Sequence, residues 1–243
     1  MIYLQNISKS FSEKVILNNL NLKINRGESL AIIGQSGVGK SVLLKHINGL
    51  LVPDSGKVLF NNLDINKLSF SKKQEIRKKM SMVFQFGALF DSLTIKENIL
   101  LALNNLTKLN TSKKSNRVHE VLNLVNLNKN IEHLRPADLS GGMRKRVGIA
   151  RAIAINPEYI LYDEPTTGLD PITTDKVNSL IKNISSKKTQ TTIIVTHEMK
   201  IVNEIVNKVV MLREGNIIFE GSPEELNNSN DKYIKYFITG KRI

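Results

Sequence analysis

Gly34-Gln35-Ser36-Gly37-Val38-Gly39-Lys40-Ser41 is the stretch that decides the fold of this 243-residue chain. It matches the pattern G-x-x-x-x-G-K-[ST], in which glycines let backbone N–H groups close around phosphates without obstruction by side chains. The apolar run Ser29–Ile33 precedes the stretch and predicts a buried parallel strand. A helical stripe of apolar residues follows from Val42 to Leu50. We therefore expect a strand, a phosphate-binding loop and a helix whose N-terminus faces the anion.

Two side chains of this phosphate loop, Gly34–Ser41, carry the recognition of charge. Lys40 is long enough to reach the β- and γ-phosphates of a nucleotide, and the Ser41 hydroxyl is a suitable ligand for Mg²⁺. ATP and Mg²⁺ are therefore the predicted ligands. The other predicted ATP contacts of the loop are Gly34, Gln35, Ser36, Gly37, Val38 and Gly39.

An acid pair, Asp163 and Glu164, ends a second apolar run, Tyr159–Tyr162. A carboxylate at the carboxyl end of a strand lies at the edge of a sheet, where the phosphate loop is also expected. Asp163 is predicted to hold Mg²⁺, directly or through water, and Glu164 to orient and deprotonate the attacking water. Taken alone, the pair could also be two solvated acids in a turn before Pro165. The complete phosphate loop favours the catalytic interpretation.

The remaining patterns predict an α/β fold. The order of strand, helix and strand over residues 159–162, 173–185 and 191–195 predicts a parallel sheet with right-handed crossovers. Residues 3–60 indicate short strands, and residues 64–157 indicate mostly helices. A hairpin is predicted over residues 209–219, and Ser222-Pro223-Glu224-Glu225 is a capping box that opens a C-terminal helix.

Composition excludes disulfide-bonded and membrane-spanning classes of protein and leaves the role of the positive charge open. The chain has no cysteine, which excludes disulfides and thiolate metal sites, and 41% of its residues are hydrophobic. No apolar stretch is long enough to span a bilayer, and residues 1–6 do not resemble a signal peptide, so we expect a cytosolic protein. The net charge is +13. The basic residues occur in short groups, typical either of solvated faces or of contact with phospholipid head groups: Lys72-Lys73, Arg77-Lys78-Lys79, Lys113-Lys114, Arg144-Lys145-Arg146 and Lys187-Lys188.

Five further motifs give the chain a resemblance to the ATPases of ABC transporters. In family order they are Phe11 as the aromatic residue before the phosphate loop, Gln85 as the Q-loop, the signature segment Leu139-Ser140-Gly141-Gly142-Met143, Gly168-Leu169-Asp170 as the D-loop, and His197 as the switch histidine. The resemblance covers essentially the whole chain. It implies a P-loop NTPase (RecA-like) core with an antiparallel β subdomain and an α-helical signature subdomain.

The resemblance also implies boundaries within one ABC ATPase domain, residues 1–243. Residues 1–85 and 158–221 would form the nucleotide-binding core with its β subdomain. Residues 86–157 would form the helical subdomain, and residues 222–243 a C-terminal helical tail.

Roles for individual residues follow from the same resemblance. Glu164, His197, Gln85 and Lys40 would be catalytic, and Ser41, Gln85 and Asp163 would hold the metal. Two chains would meet head to tail, so that Ser140, Gly141 and Gly142 of one chain contact the ATP of the other. Phe11 would stack on adenine, although a core position for Phe11, or stacking by Tyr3 instead, remains open.

Two segments resemble the ATPase of Mla-type systems, which move phospholipid between bacterial membranes. The first segment runs from Met143, which stands where most of the family has Gln, through Arg144–Ala152, and the second is Arg77–Phe90. The resemblance implies a membrane-embedded permease, a lipid-binding substrate-binding-domain protein and a peripheral location on the cytoplasmic face of the inner membrane. The apolar side chains of Phe86, Leu89 and Phe90 would be exposed unless a partner covers them or they pack within the helical subdomain. Residues 233–238 could pack on their own domain or against a second ATPase.

Other classes of protein remain as alternatives. The ATPase of a small-solute importer is the main one, and Met143 counts against it. An ABC ATPase that handles nucleic acid is favoured slightly by the positive charge. The interval between phosphate loop and signature segment is nevertheless of ordinary transporter length, so no nucleic-acid partner is expected. A regulatory module without turnover conflicts with the presence of both Glu164 and His197.

Overall fold

The computed structural model describes residues 1–186 and 189–240, and these form two compact units. The first unit is Met1–Arg77 with Ser185–Ile243, and the second is Lys78–Ile184. The basic pair Lys187-Lys188 lies outside the described residues, as do the last three residues of the predicted tail 222–243.

An antiparallel sheet in the first unit contains four strands. The strands are β1 (Ile2–Phe11), β2 (Lys14–Ile24), β4 (Ser55–Phe60) and β5 (Leu63–Asp64), in the order β2-β1-β4-β5. Alternate residues of β1 and β2 face the core, so that Ile2, Leu4, Leu22 and Ile24 are all buried. The predicted strands are confirmed over this region, although β1 and β2, with 10 and 11 residues, are longer than the short strands predicted.

The same unit contains a mainly parallel sheet whose central strand leads into the phosphate loop. Its strands are β3 (Ser29–Ile33), β8 (Thr191–Val195), β9 (Lys208–Arg213) and β10 (Asn216–Gly221). β3 pairs in parallel with both β8 and β9, and β10 returns as an antiparallel hairpin. Every residue of β3 is buried, as expected for a strand covered on both faces. The predicted strands at 29–33 and 191–195 and the predicted hairpin are confirmed.

Helices of the first unit are short. They are α1 (Lys40–Ile47), α2 (Phe70–Arg77), α7 (Met199–Glu204), α8 (Pro223–Asn227) and α9 (Lys232–Thr239). The capping box is present, since Ser222 accepts from the backbone of Glu225 and Glu225 accepts from that of Ser222. Ile234 of α9 is buried, and the guanidinium of Arg213 lies 4.2 Å from the ring centre of Tyr233. The described part of the tail therefore packs on its own unit.

The second unit pairs two strands and adds four longer helices. β6 (Met80–Val83) runs parallel to β7 (Tyr159–Asp163). The helices are α3 (Ile95–Leu106), α4 (Thr111–Leu124), α5 (Gly141–Ile153) and α6 (Pro171–Ser185). Short 3-10 turns lie at Lys129–His133 and Pro136–Asp138. β6 departs from the predicted mostly helical region, because four residues become a strand through pairing with β7, which is distant in sequence.

Candidate active site

The phosphate loop lies at the carboxyl end of β3, and its own lysine holds it in shape. Gly34, Gly37 and Gly39 have positive φ of 145°, 78° and 108°. Lys40 is buried, and its Nζ donates to the carbonyl oxygens of Gly34 at 2.9 Å and Gln35 at 3.0 Å. α1 begins at Lys40, so the backbone N–H groups of its first turn point toward the loop. The structure therefore brings together all eight residues predicted from the pattern.

Gly34 has no room for a side chain. A Cβ atom there would lie 2.5 Å from the carbonyl oxygen of Leu212 on β9. Gly39 is similarly close to Ile16, with a Cβ at 2.9 Å from its Cγ2. Gly37, in contrast, has nothing within 4 Å of its Cβ position. The first and last glycines therefore serve close packing as well as backbone conformation, whereas Gly37 serves conformation alone.

Phe11 ends β1 with about half of its side chain exposed, at 48%. Lys9 Nζ lies 5.4 Å from the centre of the Phe11 ring and 2.5 Å from Asp54 Oδ1. The hydrogen bond from Lys9 keeps the pKa of the Asp54 carboxyl below its ordinary value. Because half of its side chain is exposed, Phe11 is not a fully buried core residue. Its ring offers a face for stacking. Tyr3 is half-buried within the same strand.

His197 follows β8 and has an exposed side chain. The strand end before it is fixed by two hydrogen bonds of Thr196, whose N–H donates to Ile32 and whose hydroxyl accepts from the N–H of Glu198. His197 therefore lies beyond the carboxyl end of a strand next to β3, in the same unit as the phosphate loop.

In the second unit, the acid pair lies where β7 ends. Asp163 is the last residue of the strand, and Glu164 takes a left-handed conformation with φ of 46°. Such a φ is uncommon for a residue with a side chain and needs support from its surroundings. Thr167 supplies part of that support, because its hydroxyl donates to Glu164 Oε2 at 2.9 Å. The preceding Tyr162 is fully buried, which raises the pKa of its hydroxyl.

The signature segment opens α5. Ser140 is the N-cap, and its hydroxyl accepts from the N–H of Met143 at 3.3 Å. Ser140 and Gly141 are exposed, whereas Gly142 is buried against Thr173, whose methyl group would overlap with any Cβ at Gly142. Asp170 caps the start of α6 by accepting from the N–H of Thr173 at 3.0 Å. The hydrogen bonds from Thr173 lower the pKa of the Asp170 carboxyl.

The segment that follows Gln85 is anchored through its backbone. The guanidinium of Arg151 donates to the carbonyl oxygens of Gly87 at 3.0 Å and Ala88 at 2.8 Å, and burial lowers the pKa of Arg151. Asn98 is fully buried, and it accepts from the N–H of Phe90 and donates to the carbonyl of Phe90. Gln85 itself is half-buried. This backbone anchoring leaves the side chains of Phe86 and Phe90 79% and 52% exposed.

Two cavities adjoin this segment. A cavity of about 450 Å³ lies among Phe86, Gly141, Arg144, Thr167 and Leu169, so that the signature segment and the D-loop share one depression. A second cavity of about 530 Å³ is lined by Met82, Phe84, Phe90, Leu101 and Arg151.

Sequence reasoning missed three residues that the structure places against predicted site residues. They are Thr167, which contacts Glu164, Thr173, which contacts Gly142, and Lys145, which bonds to the backbone of Thr167. The only sequence signal was the position of each residue within a few places of a motif. Nothing in the pattern indicated which backbone or side chain each would meet.

Comparison with known proteins places the chain in a family. A family model described as "ABC transporter" matches residues 17–167, and the chain belongs to this family. It is the ATP-binding, ATP-hydrolysing type of ABC subunit. None of the helices in the described part of the chain is long and apolar enough to cross a membrane.

Two relatives belong to transport systems with different substrates. The intermembrane phospholipid transport ATP-binding protein MlaF of Haemophilus influenzae is 37% identical over 241 residues, covering 99% of this chain and 91% of that protein. The methionine import ATP-binding protein MetN of Rhizobium johnstonii is 40% identical over 221 residues, 91% of this chain but 60% of that protein.

A solved structure confirms the predicted fold class. The ATP-binding cassette MJ0796, a dimer in a post-hydrolysis state bound to ADP and phosphate, superposes with a TM-score of 0.84 at 34% identity. The match covers 92% of this chain and 99% of that one. The P-loop NTPase fold and the ABC ATPase resemblance are thus confirmed, and the chain resembles MlaF.

Proposed function

We propose that this chain powers the movement of phospholipid between bacterial membranes as the ATPase subunit of an Mla-type transporter. The observation that carries the proposal is the match to MlaF, which runs over 99% of this chain and 91% of that protein. MetN is slightly more identical but extends well beyond the matched region. Met143 in the signature segment and the sequence of residues 77–90 support the same choice.

The phosphate loop binds ATP in this proposal. Lys40 Nζ, now on the carbonyls of Gly34 and Gln35, turns to the β- and γ-phosphates, and the N–H groups at the start of α1 add a positive field. Phe11 stacks on adenine with its exposed face. The loop residues Gln35, Ser36 and Gly37 are exposed and present their backbone to the ligand.

Hydrolysis depends on residues from the other motifs. Glu164 orients the attacking water and accepts its proton, while Gln85 and His197 contribute to the reaction around the γ-phosphate. Ser41, Asp163 and Gln85 all offer oxygen donors, which is the donor set that Mg²⁺ prefers. When bound, Mg²⁺ offsets the charge of the β- and γ-phosphates.

A second copy of this chain completes each site. Ser140 and Gly141 are exposed at the start of α5, so their N–H groups are accessible to the γ-phosphate held by a partner. The solved relative MJ0796 is dimeric with bound ADP and phosphate, which supports the same arrangement here.

A permease is the proposed membrane partner, joined by a lipid-binding protein, and the ATPase lies at the cytoplasmic face of the inner membrane. Phe86 and Phe90 are large apolar side chains that stand exposed on an anchored backbone, as residues of an interaction surface do. Burial of these side chains against a partner would stabilise the complex by about 25 cal/mol for each Å² of apolar surface removed from water.

The alternative substrate is a small solute, favoured by the 40% identity with MetN. Purification of the tagged chain from its own cell membranes, followed by mass spectrometry, decides between the two. A permease with a lipid-binding protein and phospholipid supports the proposal, whereas a solute importer's permease would overturn it.

The same purification tests the proposed permease surface. The double variant Phe86→Ser with Phe90→Ser should reduce recovery of the permease. Phe70→Ser, at a side chain 74% exposed in the first unit, is the matched control.

A further inference from the structure

Two side chains outside the predicted site connect the signature helix α5 with the acid pair. Lys145 lies on α5, four residues after Gly141, and is buried with 6% of its surface exposed. Its Nζ donates to the backbone carbonyl oxygen of Thr167. The hydroxyl of Thr167 in turn donates to Glu164 Oε2 at 2.9 Å. The helix that begins with the signature segment is therefore two hydrogen bonds away from Glu164 of the same chain.

We propose that Thr167 is a positioning residue for the Glu164 carboxylate, and that Lys145 connects this positioning to the signature helix. The proposal rests on the proposed role of Glu164 as general base.

The conformation of Glu164 makes such support necessary. Its φ of 46° is uncommon for a residue with a side chain, and the turn is closed by a weak backbone bond of 3.4 Å from Thr167 N–H to the Glu164 carbonyl. A carboxylate at the end of a flexible side chain has several orientations, of which only some face a water molecule productively. The hydroxyl of Thr167 selects among them, because it holds one carboxylate oxygen in place.

The burial of Lys145 explains why the connection is firm. A buried ammonium group is costly unless it is hydrogen-bonded, and the bond to the Thr167 carbonyl offsets part of that cost. α5 is a continuous helix of 13 residues from Gly141, and Lys145 lies in its second turn. A displacement of the signature end therefore moves Lys145 with it.

Thr167→Val and Thr167→Ser form the matched pair for a test. Valine keeps the shape of threonine and removes the hydroxyl, whereas serine keeps the hydroxyl. Both variants are made in the full chain, purified from membranes with its partners, and steady-state ATPase activity is measured with thermal unfolding as a control. We expect Thr167→Val to lower kcat by about tenfold or more with KM for ATP within about twofold, and Thr167→Ser to stay near wild type.

Three results would overturn the positioning role. They are an unchanged kcat in Thr167→Val, an equal loss in the valine and serine variants, or an effect on KM alone. Wild type and Glu164→Gln are run in the same assay. If Glu164→Gln hydrolyses ATP like wild type, the proposed general base is wrong, whereas an inactive Glu164→Gln beside a fully active Thr167→Val overturns only the inference.

Lys145→Met tests the connection to the signature helix, with Lys145→Leu as the second variant if the methionine variant does not fold, because neither side chain can donate to the Thr167 carbonyl. Each is expected to lower kcat at unchanged KM. Combined with Thr167→Val, the substitution should add little further loss, because both remove parts of one chain of contacts. Losses that multiply in the double variant would show that Lys145 and Thr167 act separately and would overturn the connection.

Discussion

Lys40 Nζ donates to the carbonyl oxygen of Gly34 at 2.9 Å, so the phosphate loop is closed by the same cation that is predicted to bind the phosphates. The ammonium group is buried and preorganised within the loop, rather than projecting into solvent. Binding of a phosphate then requires a short shift of one charged group, with little loss of side-chain freedom.

Lys40→Ala should weaken ATP binding by about tenfold or more, because charge-assisted hydrogen bonds contribute roughly 1.5–3 kcal/mol. Lys45→Ala, at an exposed position of the same helix α1, is the matched control and should bind ATP like wild type. Titration with a fluorescent ATP analogue measures both. An unchanged affinity in Lys40→Ala would rule out its predicted role.

Gly34→Ala should lower the free energy of unfolding by about 1–3 kcal/mol, since a Cβ would lie 2.5 Å from the Leu212 carbonyl at a φ of 145°. Gly37→Ala has open space around its Cβ and bears only the cost of a positive φ, about 1 kcal/mol. Urea unfolding of the two variants should therefore rank Gly34→Ala as the less stable. Equal stabilities would contradict the packing argument.

Glu164→Gln should bind ATP and fail to hydrolyse it, because the amide cannot accept the proton of the attacking water. We expect turnover to fall by about a hundredfold or more, with an ATP-bound dimer accumulating. Phosphate release and size-exclusion chromatography with ATP report the two effects. Glu120→Gln, at a carboxylate 57% exposed on α4, controls for the loss of one charge and should leave turnover unchanged.

Asn98→Ala should destabilise the second unit by about 2–3 kcal/mol, because a fully buried side chain that makes four hydrogen bonds to the partly buried backbone of residues 90–94 is removed. The Asn98 amide donates to the carbonyl oxygens of Phe90, Leu93 and Thr94 at 3.0–3.2 Å and accepts from the N–H of Phe90 at 2.8 Å. Asn105→Ala, exposed on the same helix α3, should change stability by less than about 0.5 kcal/mol. Equal denaturant midpoints for Asn98→Ala and Asn105→Ala would contradict the stabilising role of the Asn98 hydrogen bonds.

Protonation of Glu132 is expected to make the folded protein less stable in acid. Burial raises the pKa of this carboxyl, but hydrogen bonds from Lys96 and His119 outweigh burial, and the pKa lies below its ordinary value of 4.5. The folded state therefore holds the proton less well than the unfolded state. The stability that the charged Glu132 carboxylate contributes is fully present above the ordinary pKa, and it is lost as the pH falls through the pKa of the folded state.

Glu132→Gln should consequently lose stability at pH ~7 and show a smaller further loss than wild type between pH ~6 and pH ~3. Urea unfolding across that range measures the difference. Glu224→Gln, exposed in the first turn of α8, is the control for a change in net charge. Parallel pH profiles for wild type and Glu132→Gln would show that the contacts to Lys96 and His119 contribute nothing.

The sequence by itself determined the phosphate loop, the family and most of the elements. These features are local: a glycine spacing, an apolar run and a capping pattern each act within about ten residues, so a single stretch of chain is enough to specify them. Ser29–Ile33, the hairpin at 209–219 and the Ser222 capping box all formed as predicted. The role of each site residue stays a prediction, because a motif names a residue without showing its ligand.

Tertiary structure alone decided the contacts between segments that are distant in sequence. β6 became a strand only by pairing with β7, almost eighty residues later, and the tail packed on its own unit through Ile234 and Tyr233. The path from Lys145 to Thr167 and Glu164 likewise joins two motifs, and no spacing rule specifies which carbonyl a buried ammonium group will reach. Such contacts follow from the need to pair every buried polar group once the core has packed, and that need acts on the whole fold.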